Sequence, residues 1–233
     1  MLKISGEALG GAEGVGIDGA TLRRVCMEMA GVLGLGKQLA VVMGAGNFFR
    51  GLRGVSEGID RVSADQMGMM ATLLNALALR DGLREQGVRA VILSAIEVGP
   101  VAEPYSPTRG REVLERGSVA LCAAGTGNPY FTTDTAAVLR ALELRCDVML
   151  KASKVDGVYD KDPVRHPDAI RFDRVSYEEV ISRKLGVMDL TAITLAAEGG
   201  LPLVVFNLRD EGALGRVARG EVQVGTLVEA GSD

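Results

Sequence analysis

The stretch that decides the fold is residues 119–144, which read VALCAAGTGNPYFTTDTAAVLRALEL. It begins with an apolar run, Val119–Cys122, continues as a polar loop rich in glycine and threonine, Ala124–Asp134, and ends in an amphipathic pattern, Thr133–Leu144. A short buried strand that leads through a loop into a helix is the repeating unit of a parallel sheet covered by helices. The stretch therefore predicts an α/β fold.

The same alternation of strand and helix runs through all 233 residues. Short aliphatic runs predict strands at Met1–Ile4, Leu39–Met43, Val88–Leu93, Val119–Cys122, Val148–Leu150 and Leu203–Phe206. The longer periodic stretches between them predict helices at Ala20–Leu33, Ser63–Glu85, Thr133–Leu144, Tyr177–Lys184 and Leu190–Glu198. We expect a single domain over residues 1–233, built as a three-layer α/β/α sandwich with a mainly parallel central sheet.

The chain is acidic, with a formal net charge of -4 and a pI near 5.3. Proteins that bind nucleic acids or membrane surfaces usually present a basic face, so neither is expected as a partner. No signal peptide opens the chain and no apolar run is long enough to span a bilayer, which predicts a cytoplasmic protein. An anionic ligand would have to be held by local dipoles and a few chosen cations.

Cysteine and histidine are too sparse to build a metal site. His166 is the only histidine, and Cys26, Cys122 and Cys146 are widely spaced without a C-x-x-C pair. We expect three reduced thiols and no disulfide framework. Any metal is expected to be Mg²⁺, which carboxylates and substrate phosphates hold.

Two glycine motifs resemble nucleotide-binding fingerprints without meeting their requirements. Gly31–Gln38, GVLGLGKQ, has glutamine where a P-loop carries the hydroxyl that holds Mg²⁺, and it ends a helix instead of opening one. We interpret it as a helix C-terminus with Gly36 at the turn. Gly44–Gly51, GAGNFFRG, places Phe49 where a dinucleotide-binding fingerprint needs its third glycine, which disfavours a dehydrogenase.

Three polar, glycine-rich loops each follow a predicted strand. They are Lys3–Gly16, Gly44–Gly51 and Ala124–Asp134. In a parallel sheet the carboxyl ends of the strands lie along one edge, which is where ligands bind. Glycine lets backbone N–H groups approach an anion closely, so three such loops favour a site for several phosphates.

The third of these loops leads into a helix whose N-terminus could hold a phosphate. Thr132, Thr133 and Asp134 are all good N-cap residues, and a helix N-terminus offers unpaired N–H donors and a partial positive charge. Thr126 and Asn128 add neutral hydrogen-bonding groups. Asp134 could be the cap itself, orient a lysine or engage Mg²⁺. Taken alone, the loop could also be an ordinary capped loop without a ligand.

Three further side chains are candidates for the chemistry. Lys3 stands in an apolar strand, which is costly unless the ammonium has a task or a partner such as Asp134; the alternative is a terminal lysine that reaches solvent. Arg50 could clamp a phosphate with its guanidinium or lie on the surface. Asp65 cannot bind phosphate but could accept hydrogen bonds from ribose hydroxyls, with Ser63 capping its helix.

Several segments, in their order along the chain, resemble the bacterial-type uridylate kinases of the amino-acid kinase superfamily. They are KISGEAL (3–9), GAGNFFRG (44–51), RVSADQMGM (61–69), AGTGNPYFTTD (124–134) and KASKVDGVYDKDP (151–163). The last two are specific for these kinases, and the similarity runs from Lys3 to about Glu229. The resemblance implies transfer of the γ-phosphoryl group of ATP to UMP, which gives UDP and ADP, with Mg²⁺ as cofactor.

The resemblance also implies roles for individual residues. The catalytic residues would be Lys3, Arg50 and Asp134. The residues that meet ATP would be Lys3, Ile4, Ser5, Gly6, Gly46, Arg50, Ser153, Tyr159 and Asp162. Those that meet UMP would be Ala45, Asp65, Thr126, Gly127, Asn128, Pro129, Tyr130, Phe131, Thr132 and Thr133. The segment linked to activation by GTP would comprise Gly11, Ala12, Glu13, Gly14, Val15 and Gly16.

By the same resemblance we expect a homohexamer that GTP activates and UTP inhibits. Phosphoryl transfer needs alignment and charge neutralisation more than covalent chemistry, so neither a protein nucleophile nor an essential general base is expected. Mg²⁺ would be carried mainly by the substrate phosphates, with its protein ligands unknown. Two alternatives stay open: a sister kinase for an acyl or carbamoyl substrate, and a nucleotide-dependent molybdate or tungstate storage protein.

Overall fold

A nine-stranded sheet forms the centre of the molecule in the computed structural model, which describes residues 1–49 and 58–231. Its strands are β1 (Leu2–Ile4), β2 (Ala40–Met43), β3 (Ala90–Ser94), β4 (Glu103–Pro104), β5 (Val119–Ala123), β6 (Met149–Ser153), β7 (Arg174–Ser176), β8 (Leu203–Asn207) and β9 (Gly225–Glu229). Their order across the sheet is β4-β3-β5-β2-β1-β6-β8-β9-β7. Every neighbouring pair is parallel except β8 and β9, which confirms the mainly parallel sheet.

Helices flank this sheet. Within the described ranges they are α1 (Gly6–Leu9), α2 (Gly19–Gly34), α3 (Arg61–Glu85), α4 (Pro107–Glu115), α5 (Thr133–Glu143), α6 (Tyr177–Ser182), α7 (Leu190–Glu198) and α8 (Ala213–Ala218). Short 3₁₀ turns lie at Gly99–Val101 and Val222–Val224. Among the described residues, no helix combines the length and the apolar character that a bilayer crossing requires.

Two apolar cores lie between the sheet and its helices. On one face α2, α3 and α8 pack against the strands, through side chains that include Leu79 and Leu214. On the other face α4, α5, α6 and α7 do so, through side chains that include Ile193. Cys26 lies in the first core and Cys122 in the second, both as free thiols, as expected of reduced cysteines. The molecule is thus the predicted three-layer α/β/α sandwich.

All the strands and helices predicted from the sequence are present, with ends that differ by at most a few residues. The sequence patterns do not predict β4, β7 and β9, nor α1, α4 and α8. These elements are short or polar: β4 is two exposed residues with a proline, and α1 is a single turn. β4 and α1 are too short to show a periodic apolar signal, and α4 is amphipathic but strongly polar overall. Pairing with distant strands keeps β4, β7 and β9 extended.

The cap of α3 is Asp60, and the predicted cap at Ser63 is wrong. Asp60 Oδ2 accepts hydrogen bonds from the N–H groups of Val62 at 3.0 Å and Ser63 at 3.2 Å. The helix begins at Arg61, so Ser63 lies inside its first turn and Asp65 in its second. The carboxylate of Asp60 caps the first free N–H groups, so the turn that contains Ser63 is already helical and needs no cap there.

The end of α2 excludes a P-loop at Gly31–Gln38. Gly36 has φ of +73°, and its N–H donates to Leu33 O at 2.9 Å. A left-handed glycine just past the last helical residue is the usual helix terminator. The segment therefore closes a helix before β2, as predicted, whereas a P-loop opens one after a strand.

Candidate active site

The carboxyl ends of β5, β2, β1 and β6 lie side by side at one edge of the sheet, and three loops meet there. A Cβ atom placed on Gly44 would lie 3.1 Å from the backbone nitrogen of Gly6 and 3.5 Å from Oγ1 of Thr133. A Cβ on Gly6 would lie 2.6 Å from the backbone nitrogen of Gly46, which no real side chain tolerates. The structure therefore brings the three predicted glycine-rich loops together, and glycine is what permits their close approach.

Several backbone N–H groups at this meeting point have no acceptor in the part of the chain that the structure describes. Ala45 and Gly46 donate no hydrogen bond to any acceptor in residues 1–49 or 58–231. Thr133 is the first residue of α5, so its N–H is one of the donors that a helix leaves without an internal partner. Free peptide N–H groups beside a helix N-terminus form a favourable site for an anion such as phosphate.

Two lysines and one carboxylate, which we call the lysine cluster (Lys3, Lys151 and Asp134), lie at the same edge. Lys3 on β1 and Lys151 on β6 are register partners on neighbouring parallel strands. Asp134 Oδ1 lies 2.7 Å from Lys3 Nζ, and Asp134 Oδ2 lies 2.5 Å from Lys151 Nζ. Lys151 also donates to the carbonyl of Val187 at 2.6 Å. The side chains of the cluster are at most 16% exposed.

The pairing of Lys3 with Asp134, expected from the sequence, is confirmed, but Lys151 was missed. Lys3 lies between Leu2 and Ile4, which face the opposite core, so strand alternation turns Lys3 toward α5. Lys151 occupies the matching place in β6 and carries the same signal, a lysine within an apolar strand. That signal could have identified it.

Charge and burial compete within the lysine cluster. Burial alone would raise the pKa of Asp134, but the charges of Lys3 and Lys151 outweigh it and hold that pKa below its ordinary value. Burial lowers the pKa of Lys151, and the attraction of Asp134 opposes this only in part. Asp134 Oδ1 accepts no well-directed hydrogen bond from the described residues, so charge rather than bond geometry holds Lys3 there. With both lysines protonated the cluster has an excess positive charge, which attracts phosphate.

The N-terminus of α5 aims Asp134 at the lysines. Thr132 is the N-cap, and its Oγ1 accepts hydrogen bonds from the N–H groups of Asp134 and Thr135, both at 3.1 Å. Asp134 is therefore not the cap. Asp189, the N-cap of α7, accepts hydrogen bonds from the hydroxyls of Thr132 and Thr135 and so joins the two helix N-termini. This contact gives Asp189 a second task besides capping α7.

A cleft lies between α3 and the loop that precedes α5. Gly68 and Met69 of α3 form part of its wall. Of the predicted UMP contacts, those that line the cleft are Ala45, Asp65, Thr126, Asn128, Phe131 and Thr133. The structure thus gathers residues from three distant parts of the chain around one opening next to the unpaired N–H groups.

Asp65 fastens the loop before α5 to α3. Its Oδ2 accepts hydrogen bonds from the N–H of Tyr130 at 2.8 Å and from Arg61 Nε at 2.8 Å. Tyr130 has φ of +71°, a left-handed conformation that is costly for a residue other than glycine and needs support from its surroundings. Asp65 supplies part of that support, a role that the sequence alone does not suggest.

The remaining predicted UMP contacts, Gly127, Pro129, Tyr130 and Thr132, do not line the cleft. Gly127 has φ of +81°, and a Cβ there would lie 2.8 Å from the carbonyl oxygen of Ala95. Tyr130 engages Asp65 through its backbone, and Thr132 caps α5. At least three of these residues therefore shape the loop that forms the cleft wall.

The predicted ATP contacts nearest the lysine cluster lie at the ends of β1 and β6 and in the turn that follows β1. Ile4 is fully buried, so only its backbone could meet a ligand, whereas Ser5 and Gly6 open the turn into α1. Ser153 is the last residue of β6, two positions after Lys151. An ion pair between Lys154 and Glu7 joins the segments that follow the two strands.

Tyr159 and Asp162 lie farther along the segment after β6. The Tyr159 hydroxyl donates to Asp156 Oδ1 at 2.6 Å, and Asp162 Oδ1 accepts from the N–H of Val164 at 2.9 Å. Neither forms a hydrogen bond with the lysine cluster in the described part of the chain. The hydrogen bonds of these two predicted ATP contacts thus stay within their own segment of the described chain.

The segment predicted to respond to GTP, Gly11–Gly16, is joined to the second glycine loop. The N–H of Gly16 donates to Asn47 O at 2.9 Å, and Asn47 Nδ2 donates to Gly16 O at 2.6 Å. Arg50, a predicted catalytic and ATP-binding residue, lies outside the described residues.

A model described as the Amino acid kinase family matches residues 1–207, most of the 233-residue chain. The chain belongs to the amino acid kinase family. The family has the sheet and helix layers found here, so both the resemblance and the fold predicted from the sequence are confirmed.

Relatives of this amino acid kinase are named for their action on UMP. A uridylate kinase of Alcanivorax borkumensis is 50% identical over 230 residues, which cover 99% of this chain and 91% of that relative. The structure of UMP kinase from Bacillus anthracis matches with a TM-score of 0.95 at 35% identity, over 99% of this chain and 95% of that one. The structure of UMP kinase from Ureaplasma parvum matches with a TM-score of 0.92 at 34% identity, over 98% of this chain and 97% of that one. The structure of uridylate kinase from Archaeoglobus fulgidus is less similar, with a TM-score of 0.74 at 26% identity, over 97% of this chain and 99% of that one.

Proposed function

We propose that this amino acid kinase is a UMP kinase, which transfers the γ-phosphoryl group of ATP to UMP and yields UDP and ADP. The observation that carries the proposal is the lysine cluster, with two ammonium groups held by one carboxylate. The N–H groups of Ala45 and Gly46 beside it have no acceptor among the described residues. Relatives named uridylate kinase or UMP kinase align over nearly the whole chain and support the choice of substrate. The continuous sheet supports a single catalytic domain over residues 1–233.

In this proposal the lysines stabilise the charge that spreads over the transferring phosphoryl group. The sheet fixes the spacing of Lys3 and Lys151 before substrate binds, and preorganised charges need no rearrangement in the transition state. Asp134 keeps both ammonium groups in place and, being anionic, does not touch the phosphate. The attacking group is the phosphate of UMP, which is already anionic, so the reaction needs no general base.

UMP is proposed to occupy the cleft beside α3. Its phosphate meets the N–H of Ala45 and the N-terminus of α5, where free donors and the helix dipole favour an anion. Its ribose meets Asp65, whose carboxylate can accept from hydroxyls. The segment Thr126–Thr133 encloses the nucleotide. Arg50, which follows the second glycine loop in sequence, is proposed as a further cation for the transferring group.

ATP is proposed to approach the lysine cluster from the segments after β1 and β6. Its phosphates lie over Lys3–Gly6 and Gly46, and its nucleoside lies near Ser153, Tyr159 and Asp162.

Mg²⁺ is proposed to arrive with ATP. The described residues contain no group of three or more His, Cys, Asp or Glu side chains that could hold a metal ion, and both carboxylate oxygens of Asp134 face lysines. The donor set therefore fits an ion coordinated mainly by phosphate oxygens, which Mg²⁺ prefers. When bound, the ion neutralises phosphate charge.

We also propose a cytoplasmic homohexamer that GTP activates through Gly11–Gly16 and UTP inhibits. Met67, Met70 and Leu74 form an exposed apolar row along α3, at 44%, 51% and 47% exposure, and a subunit contact would cover it. No nucleic acid or membrane partner is proposed. Light scattering of the wild type and of Met70→Glu, together with GTP and UTP titrations of the activity, tests these points. A monomeric wild type, or activity that neither nucleotide changes, refutes the corresponding point.

The activity is tested by coupled ADP release with Mg²⁺ and ATP, in parallel with UMP, CMP, AMP, acetylglutamate and carbamate as acceptors. UMP is expected to be the preferred acceptor by a wide margin. Turnover with another of these acceptors, and none with UMP, would refute the proposal in favour of a sister kinase. Absence of turnover together with bound molybdate or tungstate, found by metal analysis of the purified protein, would refute it in favour of oxoanion storage.

A further inference from the structure

Asn47 and Asn75 form a reciprocal pair of buried side-chain amides. Asn47 Nδ2 donates to Asn75 Oδ1 at 2.9 Å, and Asn75 Nδ2 donates to Asn47 Oδ1 at 2.8 Å. The second donor of Asn75 goes to Gly44 O at 2.8 Å, and that of Asn47 goes to Gly16 O at 2.6 Å. Asn47 is 3% exposed and Asn75 is fully buried. A carboxamide has two N–H donors, so every donor of the pair is used on a defined acceptor.

The bond from Asn75 to Gly44 sets the direction of a neighbouring donor. The carbonyl of Gly44 and the N–H of Ala45 belong to one planar trans peptide, so they point in opposite directions. With the carbonyl held by Asn75, the N–H of Ala45 must point away from the buried pair. That N–H has no acceptor among the described residues, and Ala45 lines the cleft.

The pair is attached to the elements that define the rest of the cleft. Asn75 lies on α3, the helix that also carries Asp65. Gly44 is tied to β1 as well, because its N–H donates to Ile4 O at 2.8 Å. The direction of the Ala45 N–H is thus fixed relative to both Asp65 and the strand that carries Lys3.

Packing alone does not explain two amides at this place. Buried polar groups stabilise only when all their partners are met, and an apolar pair of similar size would fill the space without that requirement. The particular acceptor, the carbonyl at the start of the second glycine loop, indicates a task connected with that loop.

We propose that Asn75, held by Asn47, is a positioning residue for the phosphate of UMP. It orients the Gly44–Ala45 peptide so that the Ala45 N–H faces the phosphate, while Asp65 on the same helix meets the ribose. The inference rests on the proposed function, because it requires UMP in this cleft.

The test compares UMP with uridine, which has the same base and ribose but no phosphate. Asn75→Asp is nearly isosteric, yet its carboxylate has no N–H for Gly44 O and repels that carbonyl. We expect the KM for UMP to rise about tenfold or more, as is typical when a hydrogen bond to a charged group is lost. The inhibition constant of uridine against UMP should stay within about twofold, because uridine makes no phosphate contact.

Three further variants separate the possible causes of a raised KM for UMP. Ala76→Gly loosens the neighbouring position of α3 without touching the loops and should leave both constants near their wild-type values. Asp65→Asn should weaken the binding of UMP and of uridine together. If it changes the binding of neither, the proposed placement of UMP is wrong, whatever the result for Asn75→Asp. Asn75→Ala, judged by circular dichroism, replaces Asn75→Asp if the buried carboxylate prevents folding.

The outcomes that overturn the inference are specific to Asn75. A folded Asn75 variant with unchanged KM for UMP would show that the peptide is oriented without it. An equal loss of UMP and uridine binding would show a general disturbance of the cleft. Selective loss of UMP binding in the Asn75 variant, together with weaker binding of both UMP and uridine in Asp65→Asn, supports the inference.

Discussion

Lys3 and Lys151 stand opposite each other on adjacent parallel strands, and the carboxylate of Asp134 bridges their ammonium groups. Two positive charges so close together would repel each other, and the carboxylate offsets that repulsion. In turn, the two lysines keep Asp134 ionised despite its burial. The cluster still carries an excess positive charge when both lysines are protonated, and that excess is available to an incoming phosphate.

Removal of the Lys3 ammonium should reduce turnover more than binding. For Lys3→Ala we expect kcat to fall about a hundredfold or more, the usual scale for loss of a charge that stabilises a transition state. Steady-state kinetics with UMP and ATP measures this. Lys37→Ala, which changes an exposed lysine next to β2, is the control and should match the wild type. A folded Lys3→Ala protein with near-normal kcat would remove Lys3 from the mechanism.

Loss of activity at high pH should report the titration of Lys151. Burial lowers its pKa from 10.5, so the charged form that the proposed mechanism needs is lost as pH rises through a value below 10.5. The pH profile of kcat/KM for ATP should therefore bend downward below pH 10.5. Lys151→Arg keeps the charge at every accessible pH and should remove that bend or shift it upward. If the wild-type and Lys151→Arg profiles coincide, Lys151 does not control the alkaline limb.

Asp134→Asn should destabilise the protein because it leaves two buried ammonium groups without their counterion. We expect the free energy of unfolding in urea at pH 7 to fall by about 3–5 kcal/mol, as for other broken buried ion pairs. Asp81→Asn, at a half-exposed carboxylate of α3, is the control and should have little effect. Asp134→Asn with wild-type stability would contradict the electrostatic role assigned to this carboxylate.

The ion pairs of Asp134 with the two lysines should make the stability of the wild type sensitive to acid. The folded-state pKa of Asp134 is lowered, so its contribution to stability is present above the ordinary value of 3.8 and is lost as pH falls through the folded-state pKa. The difference in unfolding free energy between wild type and Asp134→Asn should therefore be full at neutral pH and shrink below pH 3.8. If this difference in unfolding free energy grows as the pH falls, the prediction is contradicted.

Asp65→Asn should raise the KM for UMP with a smaller effect on kcat. The change removes the charge that holds the N–H of Tyr130 and the Arg61 side chain, and it weakens the proposed acceptor for ribose. Asp60→Asn is a matched control on the same helix, because asparagine caps a helix about as well as aspartate does. An unchanged KM for UMP, with altered affinity for ATP, would contradict the assignment.

Much of the fold and part of the site could be read from local patterns. Aliphatic runs predicted six of the nine strands within a few residues, and the glycine-rich loops lie where strand ends were expected. The pairing of Lys3 with Asp134 was predicted because Lys3 is a charged residue in a predicted apolar strand and Asp134 is a charged residue at the start of a predicted helix. Ser63 was wrongly taken as a cap because Ser and Asp both suit that position, and only the hydrogen bonds to Asp60 distinguish them.

The sequence by itself determined the alternation of strands and helices, the glycines at the strand ends and the capped start of α5, since these depend on interactions between residues close in the chain. The tertiary structure alone decided that β6 lies beside β1, which places Lys151 next to Lys3. It also decided the bonds between Asp65 and Tyr130, and between Asn47 and Asn75. These partners are far apart in sequence, and their meeting depends on strand order and side-chain packing, which no local propensity or periodicity records.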